Sequence, residues 1–280
     1  MTDKPIMIVK ASGQTEAFKI DKLEASLRNA GANEETIAMI SADISSWISE
    51  GLSTCKIYAR AYNLLKSINK TEASLYKLRN AIMEMGPSGH PFEVFIGEIF
   101  KRWGYAVKTA VVLQGASITH EMDVFAAKGD ELSLAECKFS AKQGTSISIQ
   151  VPLYVHSRVA DIVEKYLEDD DNKALRYRTW IISNSRFTPD SIQYSQCKDI
   201  RLLGWDHPRD HGLKHIITEE KIFPITVLNA LVKSEKNELM ARGIVTCLQL
   251  SQNPGELNRL AMNRRKQATV NIELDNLLNS

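Results

Sequence analysis

Three charged residues with the makings of a reaction centre fall within one short stretch, HEMDVFAAKGDELSLAECKF: Asp123, Glu136 and Lys138. Lys128-Gly129-Asp130-Glu131 separates two β-like runs there, and a Gly-Asp centre suits a two-residue hairpin turn. Pairing Lys128 with Glu131 places Asp123 directly opposite Glu136. A four-residue loop closed by Ala127 and Leu132 gives the same register, and a three- or five-residue loop breaks it. Residues opposite each other on antiparallel strands share a face, with Cβ atoms roughly 4.5–5.5 Å apart. Two carboxylates held so repel unless a positive charge lies between them, and a hard divalent cation such as Mg²⁺, with Mn²⁺ as a substitute, meets that need. Lys138, two residues beyond Glu136, projects from the same face. Its ammonium could orient a metal-bound hydroxide or neutralise charge building on a phosphate, which is the chemistry of phosphodiester hydrolysis.

The competing reading is an amphipathic sheet with exposed charges, because a lone ExK pattern has little specificity. Against it, Leu132 and Leu134 precede the pair on its own face, while Ser133, Ala135, Cys137 and Phe139 make the other face small or apolar. A strand apolar on both sides is buried, and a charged pair at its end then needs a reason.

The elements that must position these residues follow from periodicity. Residues 5–19 read as two short strands, IMIVKA and EAFKI, around Ser12-Gly13-Gln14-Thr15. Helical segments follow: KLEASLRNA with Asp21 as N-cap, ETIAMISADISSWISEG, CKIYARAYNLLKSI and EASLYKLRNAIMEM. Gly86-Pro87-Ser88-Gly89 breaks the pattern and marks a domain boundary. An amphipathic helix over Pro91–Trp103 comes next, then three strand-like runs (YAVKTAVVL, HEMDVFAA, ELSLAECKF) and a helix from about Ile149 to Leu167. A strand (RTWIIS), a helix (PDSIQYSQCKD) and a short strand (IRLLGW) complete a mixed sheet with flanking helices. From about His207 the chain reads as helical. The fold class is therefore multi-domain α/β, with domains at 1–86, 87–206 and 207–280.

Composition narrows the function classes without choosing one. With 280 residues, 44% hydrophobic and 25% charged, the chain has the balance of a water-soluble multi-domain protein. No apolar run approaches the roughly 18 residues needed to span a bilayer, and MTDKPIMIVK lacks a signal-peptide core, so a cytoplasmic location is expected. Four widely spaced cysteines without a CxxC pair exclude a zinc ribbon and a disulfide scaffold. A net charge of +1 means that any nucleic-acid surface must be local.

Phe92-Glu93, Gly104-Tyr105, Asp123 and Glu136-Cys137-Lys138 together resemble the PD-(D/E)xK nuclease superfamily, in particular its Mrr-like branch of restriction endonucleases, over about residues 86–206. The resemblance implies a restriction-endonuclease-like sheet, with Asp123 and Glu136 as metal ligands, Lys138 as catalytic lysine and Glu93 assisting from the first helix. His120-Glu121-Met122 stands where the family often has glycines, which makes Glu121 an auxiliary acid. Gln150 and Tyr154 resemble the QxxxY element of related exonucleases. Val9-Lys10, Gly13, Glu16, Phe18, Lys22 and Leu23 resemble the ATP-cone, a regulatory nucleotide-binding module. That resemblance implies ATP or dATP as effector, held near Lys10, Gly13 and Lys22, although Ala11-Ser12 replaces the family's basic and acidic pair.

The segment PITVLNALVKSEKNELMARGIVTCLQL has the rhythm of a helix–hairpin–helix element, two short helices before Gly243-Ile244-Val245-Thr246 opens another, so a DNA contact or a packing role is expected there. Arg264-Arg265-Lys266 would add a backbone contact or be a solvated face. His207, His211 and His215 read as loop histidines, because Pro208 and Gly212 break the helix that would align them. The expectation is a Mg²⁺-dependent DNA endonuclease of restriction or genome-defence type, homodimeric as Mrr-like enzymes often are. The alternative is a nucleotide-sensing DNA-binding regulator with an inactive nuclease fold.

Overall fold

The computed structural model describes residues 5–10, 13–142 and 144–279; Ala11 and Ser12, part of the expected first turn, lie outside them. Strands β1 (Met7–Val9) and β2 (Thr15–Ala17) form an antiparallel hairpin. It packs on α1 (Ile20–Arg28), α2 (Glu34–Trp47) and α3 (Thr54–Ile68) around Leu27, Ile40, Ile44 and Leu65. Asp21 is not the N-cap of α1. Lys19 is, without a side-chain bond, and Asp21 lies in the first turn, where its charge favours the helix dipole. The segment expected as one helix over Glu72–Met85 divides at Lys77 into α4 (Lys70–Tyr76) and α5 (Leu78–Met83).

Helix α6 (His90–Arg102) opens the α/β part, with Pro91 in its first turn, where a missing N–H costs nothing. Strands β3 (Ala106–Gln114), β4 (Thr119–Lys128) and β5 (Glu131–Lys138) form an antiparallel meander. A short strand β6 (Ser146–Ile147) and helix α7 (Gln150–Tyr166) cross over to β7 (Arg176–Ser183). After β8 (Arg186–Phe187) and α8 (Pro189–Cys197) comes β9 (Ile200–Leu203). The central five-stranded sheet runs β3-β4-β5-β7-β9, with its last two joins parallel, and β6 pairs with β8 in a small sheet apart. This mixed, multi-domain α/β architecture is the expected one; the two-residue strands β6 and β8 are too short to show a period in sequence.

Each face of the sheet is covered. Phe92, Phe95, Ile96, Ile99 and Phe100 of α6 fill one side, and Val155, Val159 and Ile162 of α7 fill the other. The α6 layer is continuous with the C-terminal helices: α9 (Leu213–Glu219), α10 (Lys233–Ala241), α11 (Cys247–Gln252), α12 (Gly255–Asn258) and α13 (Arg264–Asn279). Asn229 ties three parts of the chain together. Its side chain accepts from the Tyr62 hydroxyl at 2.6 Å and donates to Ser74 Oγ and Glu273 Oε1, each at 2.9 Å. The helix–hairpin–helix rhythm is only half realised. Residues Ile225–Val227 make a single 3-10 turn, because the backbone around them is committed elsewhere: Ile225 N–H donates to the Val245 carbonyl and Cys247 N–H to that of Phe223. Among the described residues no helix is long and apolar enough to cross a membrane.

Candidate active site

The β4–β5 turn has two residues, Gly129 at φ +58° and Asp130, and the ladder runs from Lys128↔Glu131 to Val124↔Ala135. The next pair would be Asp123 and Glu136, and there regular pairing stops. Asp123 Oδ2 instead accepts the Cys137 N–H at 2.6 Å, so a carboxylate replaces a carbonyl as ladder partner. The ladder on the other side opens at the same residue. Thr109↔Val124 and Val111↔Met122 are paired, and between them Ala110 stands across from Asp123 with φ +52°. An alanine in this left-handed region costs about 1–2 kcal/mol, the kind of local strain that collects at functional sites.

The break changes which layer each strand faces. Val107 and Val124 pack with the α6 cluster, but Val111, Leu113 and Met122 pack with the α7 cluster. A regular strand would keep Val107 and Val111 on one face. Asp123 is thus at the crossover between layers. It feels the charge of Glu136, whose bonds run to α7, and that of Glu93 from the first turn of α6.

Glu136 is 3% exposed, and its charge is answered on both oxygens. Oε1 accepts from Lys138 Nζ at 2.6 Å and from the Tyr154 hydroxyl at 3.2 Å, and Oε2 accepts from Arg158 at 2.7 Å. Arg158, with a side chain 15% exposed, also donates to the Tyr154 hydroxyl and to the Glu121 carbonyl. A carboxylate this deep is tolerable only with such partners. Asp123 is less well served. Burial, then repulsion from Glu136, pushes its carboxyl up to about 6, against the Cys137 N–H and Lys138. Burial pulls the Lys138 ammonium down, but its hydrogen bond and charge attraction to Glu136 outweigh that and hold it above its ordinary value. Burial, with the surrounding acids, drives the Cys137 thiol far above its usual range, so it is no nucleophile.

The chain leaving β5 is pinned. The Ser183 hydroxyl donates to the Lys138 carbonyl at 2.6 Å, and the Asn184 amide both accepts from Ser140 N–H and donates to its carbonyl, each at 2.8 Å. Glu93 lies beside His90, 3.4 Å from its Nδ1. Of the auxiliary residues, Tyr154 reaches the site while 44% exposed. Gln150 is exposed in the first turn of α7, and Glu121 contributes its carbonyl, not its carboxylate. Arg158 escaped sequence reading. The available signal was its spacing, since Gln150, Tyr154 and Arg158 recur every four residues on one helix face.

In the N-terminal hairpin, Lys10 and Lys22 both reach Glu16, at 2.9 and 3.0 Å, and Gly13 takes φ +83°. His207 lies edge-on to Phe187, and the His211 and His215 rings meet edge-to-face. Among the described residues, no three His, Cys, Asp or Glu side chains converge as a ready metal cluster.

Residues 223–278 match a family described as AF1548-like, C-terminal. An uncharacterized protein of Archaeoglobus fulgidus (strain ATCC 49558) is 27% identical over 179 residues, spanning 64% of this chain and 97% of that protein. The crystal structure of a protein of unknown function, AF1548, superposes with a TM-score of 0.55 at 22% identity, covering 69% of this chain and all of that one. That likeness is one of fold. The MspJI restriction endonuclease, solved in complex with a 27-mer oligonucleotide, matches at TM-score 0.34 and 15% identity over 62% of this chain and 36% of its own.

Proposed function

We propose that the protein is a Mg²⁺-dependent deoxyribonuclease that hydrolyses phosphodiester bonds, with Asp123, Glu136 and Lys138 as its working residues. One observation carries the reading. Both sheet ladders open at a half-buried carboxylate, Asp123, one strand away from a fully buried carboxylate, Glu136, that holds a lysine at 2.6 Å. A structural ion pair has no use for the unpaired second acid.

The donor set fits a hard cation. Asp123 and Glu136 offer oxygen ligands, Glu93 adds negative charge from α6, and water would complete the shell. When bound, Mg²⁺ would polarise a phosphoryl oxygen and lower the pKa of a coordinated water. The chain's own residues do the rest. Lys138 holds a positive charge beside the carboxylates, where charge develops on a phosphate. Arg158 and Tyr154 fix the Glu136 rotamer from α7. Ser183 and Asn184 fix the backbone on which Lys138 stands.

DNA is the proposed substrate, in a restriction or genome-defence role, with the C-terminal helices and the exposed Arg264 and Arg265 as a further backbone contact and a homodimer as the working unit. ATP or dATP is proposed as effector at Lys10, Gly13 and Lys22. An arriving triphosphate would take over the two lysines that Glu16 now holds.

A second reading has its own support. Both Glu136 oxygens are already engaged, as they would be in a DNA-binding regulator whose nuclease fold does not cut. A panel of plasmid and oligonucleotide DNAs with Mg²⁺ or EDTA separates the two. Mg²⁺-dependent cleavage by wild type and none by Asp123→Ala or Lys138→Ala supports the nuclease. Retained DNA without cleavage under any condition supports the regulator.

A further inference from the structure

A cleft of about 600 Å³ separates the N-terminal helices from the α/β body, and no part of the proposed nuclease centre lines it. One wall is α1 and the α3–α5 helices, including Asn29, Tyr58, Tyr76 and Arg79. The other is the chain just after β9, with Trp205 and Lys214.

The charges in this cleft are unbalanced. The Arg79 guanidinium lies over the Trp205 ring, 5.8 Å from its centroid, and among the described residues neither Arg79 nor Lys214 makes an ion pair. Burial lowers the pKa of both. Asp206, exposed at the rim, is the acid that acts on each, and Arg186 repels Arg79 in addition. Two desolvated cations facing one exposed carboxylate leave a net positive hole, which a polyanion would stabilise. An arginine fork beside a lysine point charge is a pairing suited to phosphate oxygens.

The cleft has an aromatic side as well. Tyr58 and Tyr76 stack with centroids 4.8 Å apart and ring planes 13° from parallel, and the Tyr58 hydroxyl is tied to the Tyr76 carbonyl at 3.2 Å. A fixed aromatic pair next to two cations accommodates a flat ring carrying phosphates.

We infer that this cleft is a binding site for a ring-bearing organic polyphosphate, held by Arg79 and Lys214 and seated beside Tyr58 and Tyr76. Its ligand would touch both walls at once and so clamp the N-terminal helices onto the α/β body. The site is separate from Lys10 and Gly13 of the hairpin and Lys22 of α1, none of which lines it, and does not depend on the nuclease reading.

Titration calorimetry on the full chain, with ATP and inorganic tripolyphosphate as probes, tests this. ATP is expected to bind wild type. In a Lys10→Gln, Lys22→Gln background, which removes the proposed hairpin effector site, ATP should still bind, and adding Arg79→Gln with Lys214→Gln should weaken it at least tenfold. Ser26→Trp fills the cleft from its helical wall without altering either cation, so it should weaken ATP equally and decides the matter if that variant misfolds. No binding in the Lys10→Gln, Lys22→Gln background, or full affinity there once Ser26→Trp is added, overturns the site. Tripolyphosphate binding as tightly as ATP overturns the ring-bearing class.

Discussion

Ala110 stands directly across from Asp123 in a left-handed conformation, and at this pair the β3 and β4 strands pass from one layer of the fold to the other. The relationship places a half-buried carboxylate between acids supplied from opposite faces of the sheet. It also gives the strain at Ala110 a purpose, since a regular ladder would direct Asp123 to one face only.

Ala110 is therefore the position where backbone preference can be separated from side-chain chemistry. Ala110→Gly, which relieves the left-handed backbone, should leave stability unchanged or raise it by about 0.5–1 kcal/mol. Ala110→Val, β-branched at positive φ, should cost about 1–2 kcal/mol and disturb the site. Urea unfolding of both variants checks this; a glycine variant markedly less stable than wild type would show that Ala110 is not strained.

Asp123 predicts a pH dependence of stability. Its folded carboxyl titrates at about 6 against an ordinary 3.8, so between those values the folded state binds more protons than the unfolded. This contribution to stability is full below about 3.8 and is lost as pH rises through 6. In EDTA, Asp123→Asn should melt several degrees above wild type at pH 8 and near it at pH 4. Melting curves at the two pH values that move in parallel would remove the buried repulsion from the account.

Arg158 is predicted to matter for stability as well as for the site. Arg158→Met would leave the buried Glu136 with Lys138 as its remaining cation, at a cost of about 2–3 kcal/mol after allowance for relaxation. Arg158→Lys keeps the charge but loses the fork that reaches Glu136, Tyr154 and the Glu121 carbonyl together, and should recover less than half of that. Thermal melts decide; full recovery by lysine would reduce Arg158 to a simple countercharge.

Asp161 should govern the β3–β4 loop. It accepts from His120 Nε2 at 2.7 Å and from the Ser117 and Ile118 amides, and these bonds, the His120 one foremost, lower its carboxyl to about 2. A depressed carboxyl stabilises above its unfolded value of 3.8, and that stabilisation disappears as pH falls from there through 2. Asp161→Asn should flatten the acid limb of the stability curve and speed hydrogen exchange at Ser117 and Ile118. Unchanged exchange at both amides would contradict this.

What was legible in the sequence was whatever is local and periodic. The Gly129-Asp130 turn fixes the hairpin register by counting, and helical spacing locates α3, α6 and α7 within a residue or two, whereas the segment expected to run to Gly51 ends as α2 at Trp47. The rest depends on partners far away in sequence. Nothing in a valine-rich run marks Ala110 as the residue that breaks alternation. Arg158 looks like the polar face of an amphipathic helix until the fold brings it to Glu136, 22 residues earlier. Lys10 and Lys22 read as cations for a nucleotide effector, and nothing in their spacing shows that Glu16, named in the same resemblance, holds both. Asp21 read as a cap because Asp commonly caps, yet Ile20 had already entered the helix.

The central claim is that Asp123, Glu136 and Lys138 form a centre that cuts DNA. The most direct measurement is the single-turnover cleavage rate of supercoiled plasmid in Mg²⁺ for purified wild type, Glu136→Gln and Lys138→Met, with matched circular dichroism melts to show that all are folded. Cleavage by wild type that EDTA abolishes is expected, with rates at least a hundredfold lower in both variants. Equal cleavage by all three proteins, or none by folded wild type on any DNA offered, would contradict it.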